Sequence, residues 1–212
     1  MSKNHHTYCI SNGEIRMLTR CAVVIITGIF LTTTAFAGVT DDVRKTVDEV
    51  IRIVSDKNLK KDDEQRRQAL KKTVSDIFDY SEMAKLTLGK HWNQRTQAER
   101  NQFIDLFATL LDNSYLSKIE SYNNEKIVYV KETHDGHYAE VKSKVITENR
   151  DEFTLDYRLL NENGKWMVYD VVIEGVSLVS NYRTQFNRII NTNGYDELVK
   201  KLQKKISDLK AA

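Results

Sequence analysis

Apolar positions recur along this chain at two different spacings, and the switch between them divides it into helices, strands and helices again. Val43, Val47, Val50, Ile51 and Val54 fall on one helical stripe. Thr40 stands ahead of it as an acceptable N-cap, with Asp41 and Asp42 at the positive end, so a first helix is predicted to start near Thr40. A second is predicted from about Asp62, with Leu70, Val74, Ile77 and Phe78 on one side and Arg66, Arg67, Lys71 and Lys72 on the other. Ser81 is placed to cap a short third helix that carries Met83, Leu86 and Leu88 and stops at Gly89. Thr96-Gln97-Ala98-Glu99 has the form of a capping box. It opens a long helix with Phe103, Leu106, Phe107, Leu110, Leu111, Tyr115 and Ile119 on a broad apolar face.

The period then falls to two. Residues 125–133, 137–149 and 152–160 read as strands, joined through Asp135-Gly136 and followed by Asn163-Gly164, both strong signals for tight hairpins. Phe153, Leu155, Tyr157 and Leu159 share one face, against Thr154, Asp156 and Arg158 on the other. In the fourth strand Trp166, Val168, Asp170 and Val172 alternate with Met167, Tyr169, Val171 and Ile173, so both faces are largely apolar and both expect cover. Gly175 breaks the run, and helical spacing returns with Leu178, Tyr182, Phe186 and Ile189 on a stripe that Val179 and Ile190 flank. Arg183 and Arg188 fall off that stripe. The pattern predicts an α+β fold in which a four-stranded antiparallel meander packs against several helices as a single domain. The chain has no proline, no Gly/Ser-rich linker and no internal repeat.

The first 37 of the 212 residues do not belong to that pattern. Arg16 and Arg20 precede an apolar run over residues 21–31, and Ala35-Phe36-Ala37 follows, which has the form of a secretory signal peptide cleaved after Ala37. The run is too short to span a bilayer. Met17 is a possible true start, because residues 1–16 add a polar prefix. Cleavage changes the chemistry of what remains. Lys3, Arg16, Arg20 and Glu14 leave, so residues 38–212 carry 29 basic and 29 acidic side chains and no net charge, a poor basis for nucleic-acid binding. Cys9 and Cys21 leave too, which removes disulfides, thiolate chemistry and cysteine zinc sites.

Catalytic candidates are few. His134 and His137 flank a turn without further metal ligands in sequence, and no metal or cofactor is expected. Ser177 lacks the second glycine of a nucleophile elbow. Asp170 and Glu174 in an apolar strand invite an acid–base reading, with Tyr169 as a partner, but Asp170 and Tyr169 are strand neighbours and so face opposite ways. Structural roles serve as well: Glu174 pairing with Arg183, and Asp170 capping a backbone turn. Phosphate loops, dinucleotide fingerprints and zinc-protease helices are missing. An enzyme on a cone-shaped α+β fold and a ligand-free adaptor of the cell envelope both stay open on these residues.

Two blocks decide further. Residues 164–190, GKWMVYDVVIEGVSLVSNYRTQFNRII, and residues 78–92, FDYSEMAKLTLGKHW, followed by Thr96, Glu99, Arg100 and Phe103, closely resemble the signatures of the MlaC family. These are periplasmic phospholipid-binding proteins, auxiliary to an ABC transport system and linked to toluene tolerance. The resemblance implies a deep apolar cavity between sheet and helices that takes acyl chains and leaves the head group near solvent. It implies a non-enzymatic, monomeric carrier of phospholipid in the periplasm. Its implied partners are an outer-membrane lipoprotein–porin complex and an inner-membrane ABC transporter with a lipid-binding periplasmic subunit, and its implied task is to maintain outer-membrane lipid asymmetry. Candidate lining residues are Met83, Phe103, Phe107, Leu110, Tyr115, Tyr157, Trp166, Val168, Val171, Ile173, Val176 and Tyr182, taken from both faces of the fourth strand. Lys71, Lys72, Arg95 and Arg183 are candidates for docking to a partner.

Overall fold

The computed structural model describes residues 38–211, and the expected leader with its cleavage site and alternative start lies outside the described residues. Four helices come first: α1 (Val39–Ser55), α2 (Asp63–Ser75), α3 (Tyr80–Leu88) and α4 (Gln97–Glu120). An antiparallel sheet follows, with β1 (Lys126–Asp135), β2 (Tyr138–Ile146), β3 (Glu152–Glu162), β4 (Lys165–Ile173) and a two-residue β5 (Val176–Ser177) in sequential order. Two helices close the chain, α5 (Leu178–Asn193) and α6 (Tyr195–Ala211).

The caps explain the boundaries. Asp62 accepts the amide of Gln65 at the start of α2, and Thr96 and Glu99 satisfy each other's amides at α4. Two starts differ from the sequence expectation. The N-cap of α1 is Gly38, which places Thr40 inside the first turn. Asp79, not Ser81, caps α3, by accepting from Glu82 at 2.8 Å. The two shifts have different causes: Asp79 lies two residues ahead of Ser81 and caps α3 with its own carboxylate, while Thr40 is engaged elsewhere. Glu132 on β1 accepts from the Thr40 amide at 2.7 Å and from its hydroxyl, so Thr40 serves the sheet and not its own helix.

The meander has five strands, not four. Glu174 and Gly175 both lie at positive φ, 49° and 76°, and form a two-residue turn that pairs Ile173 with Val176. The turn returns the chain against β4 before α5 begins. A second departure lies inside β4. Leu159 pairs with Val168 and Arg158 with Asp170, so Tyr169 is a bulge. The bulge re-phases the strand: Val168 ends on the same face as Val171 and Ile173, where strict alternation puts them on opposite faces. Another bulge at Val130 bends β1.

Three apolar clusters result. The largest joins α3, α4, α5 and α6 through Met83, Leu88, Phe103, Phe107, Leu110, Phe186 and Leu198, with the ring of Phe107 edge-on to Tyr182 at 5.3 Å. A second lies where α1 crosses the sheet, with Val39, Val43, Val141, Leu159 and Val168. The third is small: Ile53, Val54, Leu70 and Leu116 pin the far end of α1 and α2 to α4.

The Glu132 contact is the polar tie between α1 and the sheet, and His134 Nε2 adds to it at 2.6 Å. Burial raises the Glu132 carboxyl, but hydrogen bonds from Thr40 and His134 outweigh it and hold it down at about 2. A depressed carboxylate contributes stability above its unfolded pKa and loses it as pH falls through the folded one. Glu132→Gln is therefore expected to lower Tm near pH 7. The gap to the parent protein should narrow from about pH 4.5 downward and close near pH 2, as read by circular dichroism across pH.

Candidate functional site

The inner face of the sheet is only partly covered. Where α1 approaches β1 and β2 the second cluster fills the gap, but toward the start of β1 the helices stand off. A cavity of about 490 Å³ remains there, within the roughly 300–1,000 Å³ usual for ligand sites. The sheet contributes Ile127, Val145, Phe153, Leu155, Tyr157, Val168, Val171 and Ile173. α1 contributes Val43, Val47, Val50 and Ile51, and α4 contributes Leu111, Tyr115 and Ile119. Val74, Ile77, Phe78 and Leu178 complete the apolar wall.

Each wall is positioned by a feature already described. The β4 bulge brings Val168, Val171 and Ile173 together. Ile77 and Phe78 lie beyond α2, held by a parallel bridge in which the Val168 amide donates to Ile77 at 2.7 Å and the Asp79 amide donates to Val168 at 2.9 Å. Charged groups in the lining are Asp112, Lys118 and Glu125. Asp112 accepts from the Tyr80 hydroxyl at 3.3 Å and lies 3.7 Å from Lys71 Nζ; burial raises its carboxyl despite that lysine. Lys118 is the exposed member of the lining and marks an edge that reaches solvent, its ammonium 5.4 Å from the centre of the Tyr115 ring. Burial pushes the Tyr80 and Tyr157 hydroxyls well above the usual phenol range, which keeps them neutral in an otherwise dry wall.

Of the expected lining residues, Tyr115, Tyr157, Val168, Val171 and Ile173 stand in this wall. Met83, Phe103, Phe107, Leu110 and Tyr182 do not: they belong to the all-helical cluster. The apolar face of α4 is shared, its first half turned to α3, α5 and α6 and its second to the sheet and α1. Helical periodicity identifies an apolar face without naming what it meets. Trp166 lines a separate crevice beside the β3–β4 turn, and Val176 on β5 is 59% exposed. The wall from α1 was missed; its stripe was legible, its role as a cavity wall was not.

The basic candidates are mostly engaged. Arg183 donates to the Leu86 carbonyl at 2.6 Å, and so does not pair with Glu174, which accepts from the Thr154 amide instead. Arg95 pairs with Glu99 at 3.2 Å and lies over the Tyr195 ring at 4.6 Å. Lys71 faces Asp112. Lys72 is exposed and takes part in no ion pair among the described residues.

The catalytic candidates resolve into structure. Asp170 is 3% exposed and accepts from the Val179 amide at 3.0 Å, the Ser177 hydroxyl at 2.6 Å and Arg158 at 3.2 Å, which fixes the start of α5. Ser177 is that helix's N-cap, receiving the Ser180 amide. Among the described residues no group of three or more His, Cys, Asp or Glu side chains stands together as a metal site.

Comparison with known proteins gives a consistent set of relatives. A family model described as MlaC protein matches residues 44–204. An intermembrane phospholipid transport system binding protein of Haemophilus influenzae is 30% identical over 125 residues, 57% of this chain and 58% of that protein. A toluene tolerance protein, ttg2D, of Pseudomonas putida is 27% identical over 191 residues, 86% of each chain. Among solved structures, a phospholipid-binding protein from Ralstonia solanacearum in complex with a phospholipid superposes with a TM-score of 0.72 at 27% identity. That match covers 79% of this chain and 96% of the other.

Because Phe107 packs in the helical cluster, Phe107→Ala should cost about 3–5 kcal/mol. Chemical denaturation measures that loss, and ligand capacity of the folded fraction should stay at the parental level.

Proposed function

The chain belongs to the MlaC family, and from that premise we propose that it is a periplasmic phospholipid carrier that holds acyl chains in the cavity between α1, α4 and the sheet. The observation that carries this reading is a wall whose surface is predominantly apolar, in a fold shared with a protein solved with phospholipid bound. Residues 1–37 act as the leader, and the single lipid-binding domain of residues 38–212 works in the periplasm as a monomer. It moves lipid between an outer-membrane lipoprotein–porin complex and an inner-membrane ABC transporter with a lipid-binding periplasmic subunit, and so maintains outer-membrane lipid asymmetry.

The energetics suit a carrier without covalent chemistry. Each methylene buried from water is worth about 0.8 kcal/mol, so a diacyl lipid with about 30 of them faces about 24 kcal/mol on entering water bare. A dry cavity of aliphatic and aromatic side chains resembles the bilayer interior, so transfer into it is close to neutral. Handover then depends on docking and on opening the wall. The acyl chains lie along Val47, Val50, Leu155, Val171 and Ile173, and the head group emerges beside Lys118, whose ammonium is free to meet a phosphate. Lys72 is the basic side chain best placed for docking, since the other three candidates hold the fold together.

Filling the cavity tests this directly. Val47→Trp and Ile173→Trp are expected to keep the parental circular dichroism spectrum and to cut capture of a fluorescent phosphatidylethanolamine from vesicles by about tenfold, a change equivalent to about 1.4 kcal/mol. Parental capture by both folded variants would place the lipid elsewhere and end the reading.

A further inference from the structure

The wall formed by α1 and α2 is attached to the protein in an uneven way. Its base is pinned to the sheet at both chain ends, by Thr40 on Glu132 and by the Ile77–Asp79 backbone on Val168. Its tip, residues 56–62 with the adjoining turns of α1 and α2, rests on the small third cluster and on a set of charges. There Glu120 of α4, with a side chain only 11% exposed, receives Arg66 Nε on Oε1 at 3.2 Å and Arg67 Nη2 on Oε2 at 3.2 Å. The other arm of Arg66 holds Asp63 at 2.9 Å. About one turn along α2, Lys71 faces Asp112, which also holds Tyr80.

Space lies on both sides of this hairpin. The cavity is on its inner side, and a polar crevice of about 640 Å³ lies outside, between α1, α2 and the β3–β4 turn at Gly164, Lys165 and Trp166. Thr46 and Ile77 border both. The hairpin can therefore move without compressing a packed core, which a wall backed by close-packed side chains cannot do.

The chemistry of the seam matters. The seam is mixed. Its apolar part, Ile53, Val54, Leu70 and Leu116, loses its burial energy on opening. Its ionic part does not lose its full pairing energy, because the carboxylate and guanidinium groups regain their hydration as they part, and that desolvation cost was opposing the closed pair. Paired charges at a mostly buried position specify one closed register strongly while leaving the open state accessible. Resting on the carrier reading, we propose that the α1–α2 hairpin is the gate of the lipid cavity, latched to α4 by Arg66 and Arg67 on Glu120. Opening swings the tip away from α4, parts Val50 and Ile51 from Ile119, and admits or releases the acyl chains.

The full-length chain with Cys9→Ser and Cys21→Ser has no other thiols, so Arg67→Cys with Glu120→Cys can be joined by a reducible bismaleimide. The probe is exchange of NBD-labelled phosphatidylethanolamine with phosphatidylethanolamine–phosphatidylglycerol vesicles. The cross-linked protein is expected to exchange about tenfold more slowly than the same protein after reduction, and Glu120→Gln about tenfold faster than the parent. Equal rates before and after reduction would overturn the gate, and a parental rate in Glu120→Gln would overturn the latch. A reduced protein that takes up no lipid at all would instead remove the carrier reading, and the gate with it.

Discussion

The apolar inner face of a curved five-stranded sheet is wider than the helices laid across it can fill, and the rest of the structure follows from that mismatch. Bulges at Val130 and Tyr169 bend the sheet, and the second turns Val168, Val171 and Ile173 to one side. The four helices α3 to α6 build a close-packed core of their own around Phe103, Phe107 and Phe186. That core stabilises the protein and meets β4 at Tyr169. The remaining surface faces α1, the second half of α4, Leu178 and the residues Val74, Ile77 and Phe78, with a space between. A sheet face left apolar and uncovered costs free energy unless something occupies it. The proposed acyl-chain cargo would supply apolar cover of that kind.

Three buried or half-buried carboxylates hold elements of this protein at fixed places. Asp170 sets the corner between β4 and α5, Glu132 sets the entry of α1, and Glu120 holds α2 to α4. Each is a carboxylate tied to an element far off in sequence or across a turn. Asp170 and Ser177, which read as acid–base and nucleophile candidates from composition alone, are the two parts of one helix start. The charged groups left in the cavity lining are Asp112, Lys118 and Glu125, with Asp112 already engaged by Tyr80 and Lys71.

Much of the fold was legible because local signals agreed with it. The Thr96–Glu99 box, the Asp-Gly and Asn-Gly turns and the alternation through Phe153 to Leu159 each specify geometry within a few residues. What was not legible depends on partners distant in sequence. Thr40 looks like a cap until Glu132 claims it. Tyr169 looks like an ordinary strand residue until its partner strand shows that it is a bulge, and β5 hides behind a Glu174-Gly175 turn that reads as a simple break. The same limit applies to the site. Val171 and Phe107 are equally apolar in sequence, yet one lines the cavity and the other fills a core. Burial by protein and burial by ligand impose the same composition.

Native mass spectrometry of the protein isolated from its host without detergent, beside lipid extraction of the same sample, tests the central claim most directly. A carrier is predicted to show adducts of phospholipid mass that disappear on delipidation and return after incubation with vesicles. A bare polypeptide mass under gentle ionisation, with no uptake from vesicles, would contradict it and leave a cavity without a cargo.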